Sequence, residues 1–502
     1  MIEEMYSIES NRTWRLVPLP HGHWLIELKW VYKVKKNAAS EVVKHKTWLI
    51  VKGYIQQSSV DFDEVFMPVA YIESVQLLLA LAAQEAWPVH HMDVKPTFHN
   101  GELVEEVYIR QPPSFIIDGH EDKVLRLDKA LYRWRQALHA WNAKIDETLV
   151  ALGFSHSASE HAVYAHSKGT SRLLVGVYVD DLIITGNDAN EIAKFKQEMS
   201  ARFKMSDLCL LYFYLGIEVH QGGDGIELSQ TAYVCKILER TGMLSCNPYH
   251  TPIEAHLKLS KTSTAVPVDA IEYRGLIGCL RYLVHTRPDI AFTVGYVSRF
   301  MENPTIEHLN AMKRILRYIA GTIDYGCYYK HGGEELKLLG YNDADMGGDI
   351  DIRKSTTGVF FFLGSCPVTW QSQKQKKCIG DGKIDIKHVR TEEQIANILT
   401  KPLSRDRFYE LRTRRTDLLA ASSFRCHHSN DRMIRRHKGM ENNASAHLFS
   451  TDFGSELHQL PLATTIVTFA SVSTKIWMDD QEVARLQCCM LCPSIVDALK
   501  DQ

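Results

Sequence analysis

The chain has 502 residues, a net charge of −2, and 45% hydrophobic, 24% charged and 10% aromatic side chains. That length suits two to four domains with separate cores, and the near-neutral balance excludes binding of polyanions through total charge alone, so local patches must decide. The start, MIEEMYSIESN, has no apolar signal core, the longest apolar runs such as VQLLLALAA fall short of the ~20 residues of a membrane helix, and of the eleven cysteines the seven within the first four hundred residues lack paired spacing. A reducing intracellular location, cytoplasmic or nuclear, is expected rather than secretion or a membrane.

In chain order, WLIELKWVYKVKK alternates as a strand, with Leu28, Trp30, Tyr32 and Val34 on one parity and Lys29, Lys33 and Lys35 on the other. After a loop at residues 37–40, KHKTWLIVKG reads as a second basic strand. Such a hairpin either grips a phosphate backbone or triphosphate, or presents a solvated basic face. Apolar residues at Ile72, Val75, Leu78, Leu79 and Ala82 predict an amphipathic helix over 72–87. The strand VHHMDV follows, then a helical stretch over 128–149 and the apolar hairpin LLVGVYVDDLIITG over 173–186. FYLGIEV (213–219) and residues 226–229 read as strands, with GGDG a turn between them.

Three helices are predicted over 271–285, 289–302 and 305–320, with Pro288 in a first turn and Pro304 at a break. The third sets Lys313, Arg314 and Arg317 around an apolar stripe of Leu309, Met312, Leu316 and Ile319. LKLLGYNDAD and TTGVFFFLG return to strand patterns. Beyond residue 403 periodicity fades, and residues 404–502 are expected to be poorly specified or disordered. The lone CxxC of Cys489 and Cys492 has no second pair with which to hold zinc.

Asp180 and Asp181 set two like charges at the tip of an apolar hairpin. Either the turn is simply solvated, or the pair holds magnesium, which favours a few carboxylates plus substrate phosphate oxygens. A polymerase-type site needs another carboxylate, and Asp93 at a strand end is the candidate. A metal-dependent phosphohydrolase built on the same three aspartates is a rival reading.

The blocks KWVYKVKKN, DFDEVFMPVA, HHMDVKPTFHNGEL, YIRQPPSF, KALYRWRQALHAW, YVDDLIITGN, YFYLGIEV, YRGLIGCLRYLVHTRPDIAF and TEEQIANILTKPL occur in this order. Together they resemble the reverse transcriptase and ribonuclease H part of a Ty1/copia-type retrotransposon polyprotein, over residues 11–403. The resemblance implies an α+β right-hand polymerase of fingers, palm and thumb followed by an incomplete ribonuclease H-like α/β domain. Fingers and palm would span 11–250, a helical thumb or connection 251–330, and the truncated ribonuclease H-like domain 331–403. It implies an RNA-directed DNA polymerase, a nucleotidyltransferase using two Mg2+ ions (or Mn2+), with an RNA or DNA template, a primer and deoxynucleoside triphosphates as partners. Asp93, Asp180 and Asp181 would be catalytic, with Asp93, the Val94 carbonyl and Asp180 holding metal. Lys46, Phe98 and Gln136 would contact the nucleotide, Phe98 excluding a ribose 2′-OH. Lys313, Arg314 and Arg317 would track the duplex, and Asp343 would remain from the ribonuclease H site.

This chain departs from the family pattern in several places. Trp48 stands for an arginine of the triphosphate grip, Arg133 for a glycine, and Leu138 for a proline, while Pro96 and His99 replace less disruptive residues. After TWQSQKQ the family's STEAE helix and CDN segment are absent, and Asn397 takes the place of the terminal aspartate. One carboxylate cannot hold two metals, so ribonuclease H activity is expected to be absent. No DTG or DSG protease motif and no HHCC zinc module occur, so autonomous transposition is not expected from this chain alone. Two readings follow: an active polymerase, or a decayed, catalytically inactive relic that at most binds nucleic acid.

Overall fold

The computed structural model describes residues 1–36, 42–52, 71–156, 160–332, 336–374, 390–391, 393–414 and 418–420. The loop at 37–40, DFDEVFMPVA, the segment 375–389 and Cys489 and Cys492 lie outside the described residues. The architecture is mixed α/β. One compact unit takes its described residues from Met1–Ala70 and His90–Cys209, the other from Tyr71–Val89 and Leu210–His428.

The first unit opens with α1 (Ile2–Ser10), which buries Met5 and Ile8. β1 (Trp14–Val17), β2 (Leu25–Ile26), β3 (Leu28–Lys36) and β4 (Val42–Val51) follow. The predicted first strand is interrupted at Glu27: β2 pairs in parallel with β6 (Glu102–Ile109), whereas β3 pairs with β4. The alternation of β3 has the expected outcome only in its first half, since Tyr32 and Val34, of the same parity as Leu28 and Trp30, are exposed. Leu28 and Trp30 oppose Val51 and Leu49, all buried in a core shared with α1 and β6, while Lys33 faces Lys46 on the other side. A four-stranded sheet runs β1-β7-β6-β2, with β7 at Val124–Lys129.

The chain leaves this unit for α2 (Ile72–Gln84) and returns at β5 (Val89–Val94). β5 joins a six-stranded sheet of order β12-β5-β11-β10-β9-β8, from β8 (Ser155–His156), β9 (Val163–Lys168), β10 (Ser171–Tyr178), β11 (Asp181–Gly186) and β12 (Met205–Leu210). Alternate residues Met92 and Val94, Leu173, Val175 and Val177, and Leu182 and Ile184 form one apolar core. Trp141, Ile145 and Leu149 of α3 (Ala137–Ala151) and Ile192, Phe195 and Met199 of α4 (Ala189–Arg202) complete it. Because side chains alternate along a strand, His91, Asp93 and Asp181 fall on the opposite face.

The helix predicted over 128–149 needs correction at its start. Asp128 and Lys129 end β7 and donate their backbone N–H groups to the Thr13 carbonyl, and helix begins only at Ala137. Arg133 between them has φ +63, a left-handed conformation that no α-helix tolerates.

In the second unit α2 is buried on every side rather than amphipathic. It packs against β15 (Gly225–Ser229), β16 (Tyr325–Lys330), β18 (Thr356–Leu363) and β19 (Cys366–Lys374), so no face remains for solvent. Its buried amides are satisfied: Gln76 donates to the His285 carbonyl at 2.7 Å and Gln84 to Cys366 Sγ at 3.2 Å. The strand predicted over 213–219 breaks into β13 (Phe213–Tyr214) and β14 (Ile217–Gln221), because Leu215 and Gly216 turn with φ +48 and +78. One sheet runs β13-β14-β15-β16-β20 and another β17-β18-β19, with β17 at Leu338–Ala344 and β20 at Leu418–Ala420.

The helices are α5 (Thr231–Arg240), α6 (Ala270–Leu283), α7 (Ala291–Val297), α8 (Ile306–Ala320) and α9 (Arg405–Arg414). The predicted helix over 289–302 is α7 flanked by 3-10 turns at Pro288–Ile290 and Ser298–Phe300. Thr305 and His308 cap α8 reciprocally, and of its predicted stripe Met312, Leu316 and Ile319 are buried while Leu309 is half-buried. The expectation of disorder from residue 404 is corrected for residues 404–414 and 418–420 by α9 and β20, and the rest of that stretch lies outside the described residues. α9 is held by Arg412, which donates to the Tyr318 hydroxyl at 3.0 Å. Tyr318 in turn donates to Asp289 at 2.5 Å, and Arg287 forks onto the same carboxylate at 2.8 and 2.9 Å. Among the described residues no helix is long and apolar enough to cross a membrane.

Candidate active site

The adjacency of β5 and β11 brings the three aspartates together. The Val94 N–H donates to the Asp180 carbonyl at 2.9 Å, and on the face away from the core His91 Nε2 lies 2.7 Å from Asp181 Oδ1. Tyr178 pairs with Asp181, so Val179 and Asp180 alone connect β10 to β11. Val179 adopts φ +54, which a β-branched residue takes only when its surroundings impose it. Trp141, 1% exposed in α3, donates its indole N–H to the Val179 carbonyl at 2.6 Å.

Asp93 is 2% exposed. Lys95 Nζ lies 2.9 Å from its Oδ2 but off the line of a hydrogen bond, so this buried oxygen has a charged neighbour and no directed donor among the described residues. Burial, then the charge of Asp181 and further that of Asp93, pushes the Asp180 carboxyl up to about 6, against the pull of its own backbone N–H and of Lys46. Among the described residues no three His, Cys, Asp or Glu side chains are arranged to hold a metal by themselves. A two-carboxylate site of the kind magnesium shares with phosphate oxygens does fit. Asp93 has the undirected oxygen, a cation would relieve the crowded charge at Asp180, and the Val94 carbonyl, which accepts from Thr97 Oγ1 at 3.0 Å, keeps a second lone pair.

Phe98 sits in a short 3-10 turn, Phe98–Asn100, against both apolar cores of this unit, with its ring edge-on to Tyr132 at 5.1 Å. The turn lies close to α3: a Cβ at Gly101 would come within 2.7 Å of the Trp141 backbone nitrogen, so only glycine fits there. Tyr132 also accepts from the Val51 N–H through its carbonyl at 3.1 Å, joining β4 to the segment that packs on Phe98. Burial, with Glu4, Asp180 and Asp93 nearby, raises its hydroxyl above the usual phenol range. Lys46 is exposed, its charge reaches Asp180, and its ammonium lies 4.6 Å over the Trp48 ring. Gln136 is turned inward, 3% exposed, and donates to Glu105 at 3.1 Å.

In the second unit Lys313 is exposed, but its neighbours are engaged within the fold. Arg314 donates to Thr251 Oγ1 at 3.1 Å, Arg317 to the Asn247 carbonyl at 2.7 Å, and both stack on Tyr249 at 4.4 and 3.9 Å. Asp343 accepts from Thr400 Oγ1, and Lys401 lies 3.4 Å from the same oxygen. Asn397 donates to the Thr391 carbonyl at 3.2 Å, and Asp345 accepts from the Thr356 N–H at 2.6 Å.

Three residues of the first site escaped the sequence reading: His91, Tyr132 and Trp141. Only His91 left a signal, since it shares the parity of Asp93 on β5. Trp141 looks like a core residue until its N–H is traced to the turn.

Residues 11–255 match the family Reverse transcriptase (RNA-dependent DNA polymerase). The Retrovirus-related Pol polyprotein from transposon RE1 of Arabidopsis thaliana is 40% identical over 368 residues, which is 73% of this chain and 25% of that polyprotein. The corresponding polyprotein from transposon TNT 1-94 of Nicotiana tabacum is 39% identical over 404 residues, 78% of this chain and 30% of its own length. The chain therefore spans less than a third of these plant relatives. The Putative transposon Ty5-1 protein of Saccharomyces cerevisiae is 32% identical over 309 residues, 61% of this chain and 100% of that relative. With the ordered motifs and these matches together, the chain belongs to the reverse transcriptase family of Ty1/copia-type retrotransposon polyproteins.

Proposed function

We propose that the first unit is the nucleotidyl-transfer centre of an RNA-directed DNA polymerase, extending a primer on an RNA or DNA template with deoxynucleoside triphosphates. The observation that carries this reading is the convergence of Asp93, Asp180 and Asp181 around a buried carboxylate oxygen without a directed donor. In this reading the six-stranded sheet is the palm, the β3–β4 hairpin the fingers, the helices within 251–330 the thumb or connection, and β17–β19 the remnant of a ribonuclease H-like domain.

Asp93, Asp180 and the Val94 carbonyl would hold two divalent ions, Mg2+ or Mn2+. When bound, these ions lower the pKa of the primer 3′-hydroxyl and stabilise the leaving pyrophosphate. The chain's own residues do the rest. His91 anchors Asp181, which adds negative field beside Asp180 and leaves the metal position to its neighbour. Lys46 meets the triphosphate, steadied by the Trp48 ring beneath it. Phe98, backed by Tyr132, fills the space a ribose 2′-OH would need and so selects deoxynucleotides by shape. Gln136 keeps its bond to Glu105 in this conformation and would have to turn to reach a nucleotide. Lys313 is the better placed of the three basic residues of α8 to meet a duplex, because Arg314 and Arg317 hold the segment at residues 247–251. Ribonuclease H cleavage is not expected: Asp343 faces a hydroxyl and a lysine rather than a second carboxylate.

The relic reading rests on specific observations of its own. Arg133 is forced to positive φ where the family pattern has glycine, and neither ring nitrogen of the buried His99 has a hydrogen-bond partner among the described residues. Trp48 also lacks the charge of the arginine it replaces. Primer extension on poly(rA)–oligo(dT) with dTTP separates the two. Extension that is lost in Asp180→Asn and strengthened in Trp48→Arg supports the polymerase. No extension by the wild type or by Trp48→Arg, with primer–template still bound, establishes the relic. Extension that survives Asp180→Asn removes the site assignment altogether.

A further inference from the structure

Two-residue hairpin connections normally place Gly, Asn or Asp at their positive-φ positions, because a β-branched side chain clashes there. This one places Val179 at φ +54, so the conformation must be imposed from outside. Two donors reach the turn. The Val94 N–H holds the Asp180 carbonyl at 2.9 Å, and the Trp141 indole holds the Val179 carbonyl at 2.6 Å. The second bond acts on the peptide joining Val179 to Asp180, the unit whose rotation would swing the Asp180 carboxyl away from Asp93. Trp141 cannot follow a moving turn: it is 1% exposed and edge-on to Phe203 at 5.3 Å. Its nitrogen is donor-only, so the bond has a single polarity and direction.

We propose that Trp141 is a positioning residue whose indole N–H keeps the Val179–Asp180 peptide in its left-handed turn and so aims Asp180 at the divalent-ion site. The aiming rests on the polymerase reading; the holding of the turn does not. Packing of the indole ring and its hydrogen bond are separable functions. Trp141→Phe keeps a ring and deletes the donor, and 3-benzothienylalanine at position 141, with sulfur in place of N–H, serves if phenylalanine does not fold.

Two measurements decide the matter. Hydrogen exchange of the peptides covering residues 173–186 should quicken roughly tenfold in Trp141→Phe, while exchange along α3 stays unchanged. Mn2+ affinity, followed by electron paramagnetic resonance, should fall about five- to tenfold. Glycine takes positive φ without help. Adding Val179→Gly should therefore bring both readings to within about twofold of those of Val179→Gly alone. Unchanged exchange at the turn in a folded Trp141→Phe protein overturns the proposal, and so does a loss that Val179→Gly fails to relieve, which marks a packing role only. A wild-type chain that binds no Mn2+ overturns the divalent-ion reading and the aiming with it, while the exchange data still decide whether the indole holds the turn.

Discussion

Replacing His99 with leucine should stabilise the first unit, and by more in acid than in base. The His99 side chain is 0% exposed, and neither ring nitrogen has a hydrogen-bond partner among the described residues; Tyr132 presents only its ring, at 5.6 Å. A buried polar group left unsatisfied costs about 1–3 kcal/mol, so a leucine of similar size should gain about 2 kcal/mol at pH 8. Burial, reinforced by the charge of Lys129, lowers the imidazole from 6.5 to about 4. As the pH falls through 6.5 the unfolded chain therefore takes up the proton first. Native stability declines from there and levels off only near pH 4, where the folded state binds the proton too. Between pH 8 and pH 5 this amounts to about 2 kcal/mol, which leucine cannot lose. The variant's advantage should thus grow to about 4 kcal/mol at pH 5. Urea unfolding followed by circular dichroism should show the midpoint rising by about 1 M at pH 8 and 2 M at pH 5, for an m value near 2 kcal/mol/M. Equal shifts at the two pH values would refute the lowered pKa. A midpoint that fell at pH 8 would show that the imidazole is satisfied after all.

Arg133→Gly should raise stability by about 1 kcal/mol, because it removes a side chain from φ +63, and a thermal melt a few degrees higher would register it. Gly101→Ala should lose about 1–3 kcal/mol by driving a methyl into the α3 backbone, read as an earlier urea midpoint in the first unit. Asp289→Asn leaves the buried Arg287 without its counter-charge and should destabilise the second unit by about 3–5 kcal/mol; limited proteolysis of that unit at 25 °C is the measurement. Trp48→Arg should strengthen dTTP binding about tenfold, and titration calorimetry in which Arg and Trp bind alike would remove the triphosphate role from this position.

The hairpin of Asp180 and Asp181 and the strand of Asp93 were legible because both obey a period of two and both are bounded by clear turns. The pairing that joins them was not, since nothing local in VHHMDV says that its neighbour lies some ninety residues onward. The same blindness explains the errors. Residues 128 and 129 look helical in isolation, yet their backbone donors go to Thr13, far back along the chain. The apolar spacing of α2 suggested one wet face, but strands remote in sequence cover all of them. Arg314 and Arg317 were expected to face a duplex, and helix periodicity cannot reveal that Tyr249 and its neighbours lie across them. Arg133 is the opposite case: its misfit was foreseen from the glycine in the family pattern, and its backbone angle agrees.

The placement of α2 bears on how such a chain is made. This helix leaves the ribosome early with mostly oily side chains, but the strands that shelter it emerge much later, the last of them ending at Lys374. At ordinary synthesis rates of about 5–20 residues per second the wait is roughly 15 to 60 seconds. A nascent-chain chaperone should therefore engage residues 72–84 during translation, and a gene fragment ending at residue 255, where the family match stops, would leave that greasy rod with most of its shelter never synthesised.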